Sequence, residues 1–133
     1  MSVHTNMRRN RLSLTAQAAL YVLAGINHFW HPTTYLHIMP DHYVHPASLV
    51  YASGAAEIIG GIGLLIPATR RFSAAGIMFM LLVFLDVHVF MLLRHDWFPD
   101  VPVWLLWARI PLQFVLIAWA SMYFRRRRTL KAS

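Results

Sequence analysis

FSAAGIMFMLLVFLDVHVFMLL, residues Phe72 to Leu93, is an apolar run interrupted by one aspartate and one histidine, Asp86 and His88. A helix rises ~1.5 Å per residue, so this stretch is long enough to cross a hydrocarbon core of ~30 Å. An ionisable group inside such a stretch is costly unless it has a partner or a task. Three blocks of similar length accompany it, at residues 12–31, 48–67 and 103–124. The chain has 133 residues and is 58 % hydrophobic, above the usual share for a soluble domain, and the excess is concentrated in these blocks. The reading is an all-α integral membrane protein, a four-transmembrane-helix bundle forming one domain over residues 1–133. A soluble four-helix bundle would need a polar stripe on every helix. The last three blocks are apolar all round, and only the first is diluted, by Ser13, Thr15 and Gln17. Ala16-Gln17-Ala18 mimics a signal-peptide cleavage site, but the apolar core follows it instead of preceding it, which argues against cleavage.

The net charge of +7 sets topology. Arg8, Arg9 and Arg11 precede the first block, Arg70 and Arg71 separate the second from the third, and Arg125 to Arg128 with Lys131 follow the fourth. Four crossings put all three clusters on one side, which the positive-inside rule makes cytoplasmic. Both termini are then cytoplasmic, with an extracytoplasmic loop at 32–47 and a basic cytoplasmic tail at 125–133. The opposite loops carry Arg94 beside Asp41, Asp96 and Asp100. This placement argues against a nucleic-acid footprint and suits contact with a lipid bilayer. The absence of cysteine excludes disulfides, iron–sulfur clusters, CxxC redox chemistry and covalent haem attachment through thiols.

Pro32 ends the first span near His31. The following loop mixes His31, His37, His42 and His45 with Tyr35, Leu36, Met39 and Tyr43. That composition suits a segment in the membrane interface, forming a lid over the outer mouth of the bundle. The second span is rich in small residues, with Ala56 and Gly60 four apart, and packs closely against its neighbours. Trp97, Phe98 and Trp104 form an outer aromatic belt, and Pro111 kinks the fourth span.

Ionisable and polar residues fall at one depth. Counting helical rise from the outer ends places His28 roughly 5 Å deep, His88 about 8 Å, Arg109 about 9–12 Å, Asp86 about 12 Å and Glu57 ~13 Å. Asn27 and Gln113 lie nearby. Gln17, Tyr21 and His28 follow one stripe of the first span, and Arg109 and Gln113 share a face of the fourth. Asp86 and His88 are two apart and point to nearly opposite sides, so they serve different neighbours.

Three readings fit this cluster. It is structural, with Arg109 paired to Glu57 or Asp86 across helices. Or it is a small-molecule site, in which Arg109, Gln113, Asp86 and Asn27 hold a lipophilic substrate while Glu57, His88 and His28 handle protons. Or His28, His88, Glu57 and Asp86 hold a metal or haem, although no HxxxH or ExxH pair lies within a span. The methionines read as packing residues.

The stretches AGINHFWHP, YASGAAEIIGGIGLLIPATRR and ARIPLQFVLIAWA together resemble the DoxX-like family of small bacterial four-span membrane proteins, over roughly residues 15 to 124. The resemblance marks His28, Ser53, Gly54, Glu57, Gly61, Arg109, Pro111 and Gln113. In the third span it is looser, with a polar residue, often asparagine, expected near His88 and no aspartate as a matter of course at Asp86. It implies a bacterial inner-membrane protein with a quinone- or redox-linked role, since the family name derives from a membrane subunit of a thiosulfate:quinone oxidoreductase. The expected cofactor is a quinone, with haem or metal as the alternative. The expected partners are a redox partner subunit or a second copy of the chain, for which the chain could also be a non-catalytic assembly or anchor subunit.

Overall fold

The computed structural model of the chain describes residues 2–125, with side chains from residue 7 onward. Arg126, Arg127, Arg128 and Lys131 of the basic tail lie outside the described residues. Among the described residues every regular element is helical. They are α1 (Ser2–Trp30), α2 (Pro32–Ile38), α3 (Pro46–Leu65), α4 (Arg70–Leu93) and α5 (Val103–Arg125), with a 3-10 turn at His95–Trp97. Helices α3, α4 and α5 are long and apolar enough to cross a membrane. Helix α1 begins well before residue 12, where the hydropathy starts to rise, because nothing in the arginine-rich segment breaks it.

Proline sets two of the boundaries. Pro32 and Pro46 occupy the first turns of α2 and α3. A proline has no N–H to lose at that position, and its ring pushes the preceding residue out of helical geometry. The short turn between α3 and α4 is closed by side chains. Thr69 Oγ1 donates to the Gly63 carbonyl at 2.9 Å, and Arg70 Nε donates to the Leu64 carbonyl at 2.6 Å. These bonds satisfy carbonyls that the end of α3 would otherwise leave open. Pro111 lies inside α5, and the helix continues through it.

Helix α3 is central, packed on α1 along one side and on α4 along the other. Its glycines make that position possible. A Cβ on Gly54 would lie 2.6 Å from His28 Cβ, and one on Gly61 would lie 2.8 Å from the Ala18 carbonyl oxygen, so both face α1. Gly60 and Gly63 face Ile77 and Ser73 of α4. Such residues bring helix backbones together where side chains would hold them apart. Ala56, expected to share this role, is exposed. Helix α5 packs on α4, and it meets α1 at Ser13, whose Oγ accepts from Trp119 Nε1 at 2.8 Å and lies 2.6 Å from the Tyr123 hydroxyl. Successive long helices run antiparallel.

The apolar interior has two parts. Ala18, Leu64, Ala74, Ile77, Leu81 and Ala120 pack toward the end that carries Arg8, Arg9, Arg11, Arg70 and Arg71. Met91, Phe98 and Leu106 pack at the opposite end. Phe98 is only 5 % exposed, which corrects its assignment to an aromatic belt; Trp97 and Trp104 remain on the outside. Large apolar side chains cover the outward faces, among them Leu23, Ile59, Phe72, Phe79, Trp107 and Val115. Lipid is the solvent in which that surface is not a liability.

Candidate functional site

A cavity of about 180 Å³ lies among all five helices, on the far side of the main core from the arginines. An apolar cavity of ~150 Å³ elsewhere is known to accept benzene, so this one has room for a single substituted ring. Leu49, Val50, Val83, Phe84 and Val87 supply apolar walls. Into them project His28 from α1, Tyr35 from α2, Tyr43 from the α2–α3 connection, Ser53 from α3, His88 from α4 and Arg109 from α5. The segment expected as a lid therefore does line the cavity, through Tyr35, Ile38, Met39 and Tyr43.

Arg109 is half-buried, and its Nη1 donates to the Met91 sulfur at 3.2 Å. Among the described residues, no carboxylate lies within ion-pair distance of it; the two close pairs are His28–Glu57 and His42–Asp86. The expected pairing of Arg109 with Glu57 or Asp86 is thus corrected. Glu57 sits on the α1 side of α3, away from α5, and the connection after α2 reaches Asp86 first. A guanidinium without a counterion at the wall of an apolar cavity is a donor held ready for an electron-rich partner.

Hydrogen bonding settles the state of His88. The Gln113 amide nitrogen donates to the Leu81 carbonyl at 2.7 Å, which turns Gln113 Oε1 toward His88 Nε2 at 3.2 Å. An amide oxygen only accepts, so Nε2 carries the hydrogen and a neutral ring leaves Nδ1 as a bare acceptor. Nδ1 is buried and has no partner. Gln113, expected to hold substrate, is not in the cavity wall; it orients the histidine that is.

His28 is 6 % exposed. Its Nδ1 donates to the Val50 carbonyl at 3.0 Å and lies 3.1 Å from Ser53 Oγ, while Tyr35 stacks on the ring with centroids 3.9 Å apart. Nε2 faces Glu57 Oε2 at 3.1 Å. The ring N–H direction does not align with that oxygen, which has no hydrogen-bond partner. Glu57 therefore stands one residue behind the cavity, reached through His28.

Asn27 and Asp86 are exposed and outside the cavity wall. Asn27 Nδ2 donates to the Tyr35 hydroxyl at 2.7 Å, fixing the ring that covers His28. Asp86 Oδ2 accepts from the Tyr43 hydroxyl at 2.7 Å and contacts His42 Nε2 at 2.9 Å. The Asp86 carboxylate holds the Tyr43 phenol above its ordinary pKa. Both residues, expected to bind substrate, instead hold the covering segment in place. His28, His88, Glu57 and Asp86 do not converge, and among the described residues no three histidine, cysteine or acidic side chains form a metal-ligand group. Sequence reasoning passed over Tyr35 and Tyr43 as cavity residues. Their only signal was an unusual density of tyrosine and histidine in one short connection.

The fold and the cavity define an all-helical membrane protein with a small, largely apolar internal site carrying a cation and two imidazoles. The chain belongs to the family described as a domain of unknown function, DUF8561, matched over residues 17–124. That span includes every residue lining the cavity. No curated protein and no solved structure matches the chain.

Proposed function

We propose that the chain is a four-span protein of a bacterial inner membrane, with both termini cytoplasmic, whose cavity binds a small quinone-like lipophilic molecule in redox or proton transfer. The observation that carries this reading is Arg109: a guanidinium with no carboxylate within ion-pair distance among the described residues, set in the wall of an apolar cavity of ring size that His88 also lines. A ring with a carbonyl or phenolate oxygen toward Arg109 and a hydroxyl toward His88 completes both groups. His88 Nδ1 then accepts the hydroxyl proton, and Arg109 stabilises negative charge left on the ring oxygen. Electrons would come from, or go to, a redox partner subunit, because the chain has no thiol chemistry of its own. The resemblance to DoxX-like proteins points toward the same class of ligand.

Helix α1 serves as the fourth span. Its polar residues Gln17, Tyr21 and His28 are turned inward and buried, while Leu12, Leu20, Leu23 and Ile26 face outward. Of the residues that dilute its hydropathy, Ser13 and Gln17 lie on the inward face, while Thr15 is exposed. The described arginine clusters share one end of the molecule, as the positive-inside rule requires for a cytoplasmic face.

The test is binding of a short-tailed benzoquinone to the purified chain in lipid nanodiscs, followed by quenching of tryptophan and tyrosine emission. Arg109→Met and His88→Leu should each weaken binding about tenfold or more, the worth of one charge-assisted or buried hydrogen bond. Unchanged affinity in folded variants would sink the reading.

A second reading, a non-catalytic anchor subunit, is favoured by the polar contacts that tie helices together, such as His88–Gln113 and His28–Val50. It expects no benzoquinone binding by the wild type and co-purification with a partner.

A further inference from the structure

Of the side chains that line the cavity, two are also exposed on the outside of the molecule: Leu49 of α3 at 41 % and Val83 of α4 at 42 %. The others are buried or half-buried. The cavity wall therefore reaches the surface at the seam between α3 and α4. That seam is closed toward the arginine-bearing end, where Gly60 and Gly63 bring α3 against Ile77 and Ser73. Counting helical rise from the Gly60–Ile77 contact, Val83 stands ~9 Å and Leu49 ~16 Å toward the opposite end. In that interval the glycine of α3, Gly54, faces α1 instead, and the cavity occupies the space between α3 and α4.

Two features make the seam an opening to lipid and not to water. First, its surroundings are apolar. Exposed side chains continue the surface on both helices, Ile59 on α3 and Phe79 and Leu82 on α4. Both helices are long and apolar enough to cross a membrane, so lipid is the solvent that suits this surface. Second, the end of the cavity away from the arginines is roofed. Tyr35, Ile38, Met39 and Tyr43 cover it and are all half-buried. The Tyr43 hydroxyl is tied to Asp86 at 2.7 Å, nearly one turn of α4 beyond Val83. A single ring fills a cavity of about 180 Å³, so any longer substituent on that ring has to leave it. Through the seam an aliphatic tail stays in hydrocarbon; through the roof it would be exposed to water at a cost for every methylene.

We infer that the cavity opens sideways into lipid between Leu49 and Val83, and that its ligand is an amphiphile drawn from the membrane, with its ring inside and an aliphatic tail lying out along the α3–α4 seam. The ligand half deepens the function proposed above and rests on it. The opening does not.

The full chain in lipid nanodiscs tests the opening without any ligand. It has no cysteine, so Val87→Cys places a single thiol in the cavity wall. That thiol should react with a maleimide carrying a dodecyl chain, which partitions into the bilayer, and about tenfold or more slower with a sulfonated maleimide that stays in water. Adding Val83→Trp should slow the alkylmaleimide about tenfold, and Leu49→Trp serves if that variant does not fold. Phe79→Trp, exposed on α4 outside the cavity wall, should leave the rate unchanged. Equal labelling by the sulfonated reagent, no labelling of the folded variant by the alkyl one, or a rate unchanged in both Val83→Trp and Leu49→Trp overturns the opening. Equal slowing by Phe79→Trp does so too. For the ligand, Val83→Trp should lower the affinity of a decyl-tailed benzoquinone about tenfold more than that of a tail-free one. The same change for both, or none, overturns the route of the tail. If neither binds the wild type, the proposed function falls and the tail with it, while the labelling still decides the opening.

Discussion

Gln113 fixes which nitrogen of His88 carries the hydrogen, although Gln113 never reaches the cavity. Its amide nitrogen is spent on the Leu81 carbonyl at 2.7 Å, so its oxygen faces Nε2 at 3.2 Å. Replacing Gln113 with Leu removes both bonds and leaves a buried N–H and a buried carbonyl open. The expected cost is about 1–3 kcal/mol of stability. The diagnostic readout is the ¹⁵N NMR spectrum of the histidine rings. The wild type should show His88 in the Nε2–H form, and Gln113→Leu should show a mixture of tautomers. A lowered stability with an unchanged ring spectrum would mean that Gln113 is packing and no more.

Arg109 should be a burden to the empty protein. Among the described residues its charge has no carboxylate beside it, and an arginine within a span costs up to roughly 2.5–3.5 kcal/mol on insertion scales, the upper figures applying at the centre. Methionine fills similar space without that cost. Arg109→Met is therefore expected to unfold at the same denaturant concentration as the wild type or a higher one, while benzoquinone affinity falls. Arg109→Lys should keep the burden and lose the planar donor geometry. A large loss of stability in Arg109→Met would show that the charge is a structural partner after all.

Relative height along the bundle was legible in the residues, since His28, His88 and Arg109 line one cavity, whereas position around the bundle was not. Helical rise alone brought His28, Glu57, Asp86, His88 and Arg109 to one level. The two-residue offset of Asp86 and His88 separated their roles, and the structure sends one to Tyr43 and the other to Gln113. Pairing Glu57 with Arg109 required knowing that α3 and α5 face each other, and instead α3 lies between α1 and α4. Opposite charge at equal depth does not decide neighbours when four long helices can be ordered in several ways. The glycines of α3 carried that information only in part, since their four faces look alike until α1 and α4 are placed. Contacts from the α2–α3 connection were least legible, because a segment without periodicity does not say which side chain points inward.

Two glycines give a matched pair of substitutions. At Gly54 a Cβ would meet His28 Cβ at 2.6 Å and the Gly25 carbonyl oxygen at 3.0 Å. The backbone cannot yield cheaply, so Gly54→Ala should cost about 1–3 kcal/mol, as overpacking does, and displace His28. At Gly76 a Cβ would meet nothing within 4 Å. Gly76→Ala should stabilise α4 by roughly 0.5–1 kcal/mol through reduced backbone freedom. Reversible unfolding in mixed micelles checks both, and equal effects of the same sign would refute the α1–α3 crossing described above.

The clasp between Asp86 and Tyr43 has a defined pH window. The carboxylate raises the Tyr43 pKa above its ordinary 10.0 by accepting the phenolic hydrogen. A group whose pKa is raised in the folded state stabilises it fully below the unfolded value and loses that effect as pH rises through the folded one. The clasp should therefore hold from neutral pH up to about 10 and release only above it. Phenolate absorbance, taken as the difference between wild type and Tyr43→Phe, should show Tyr43 titrating above the ordinary range. In Asp86→Asn, with the charge gone and an amide oxygen left as acceptor, the titration should move down toward 10.0. The segment carrying Tyr43 would then be less firmly held over the cavity, so benzoquinone should also leave faster. An unchanged Tyr43 titration in Asp86→Asn would show that burial, not the carboxylate, governs the phenol, and would detach Asp86 from the closing of the site.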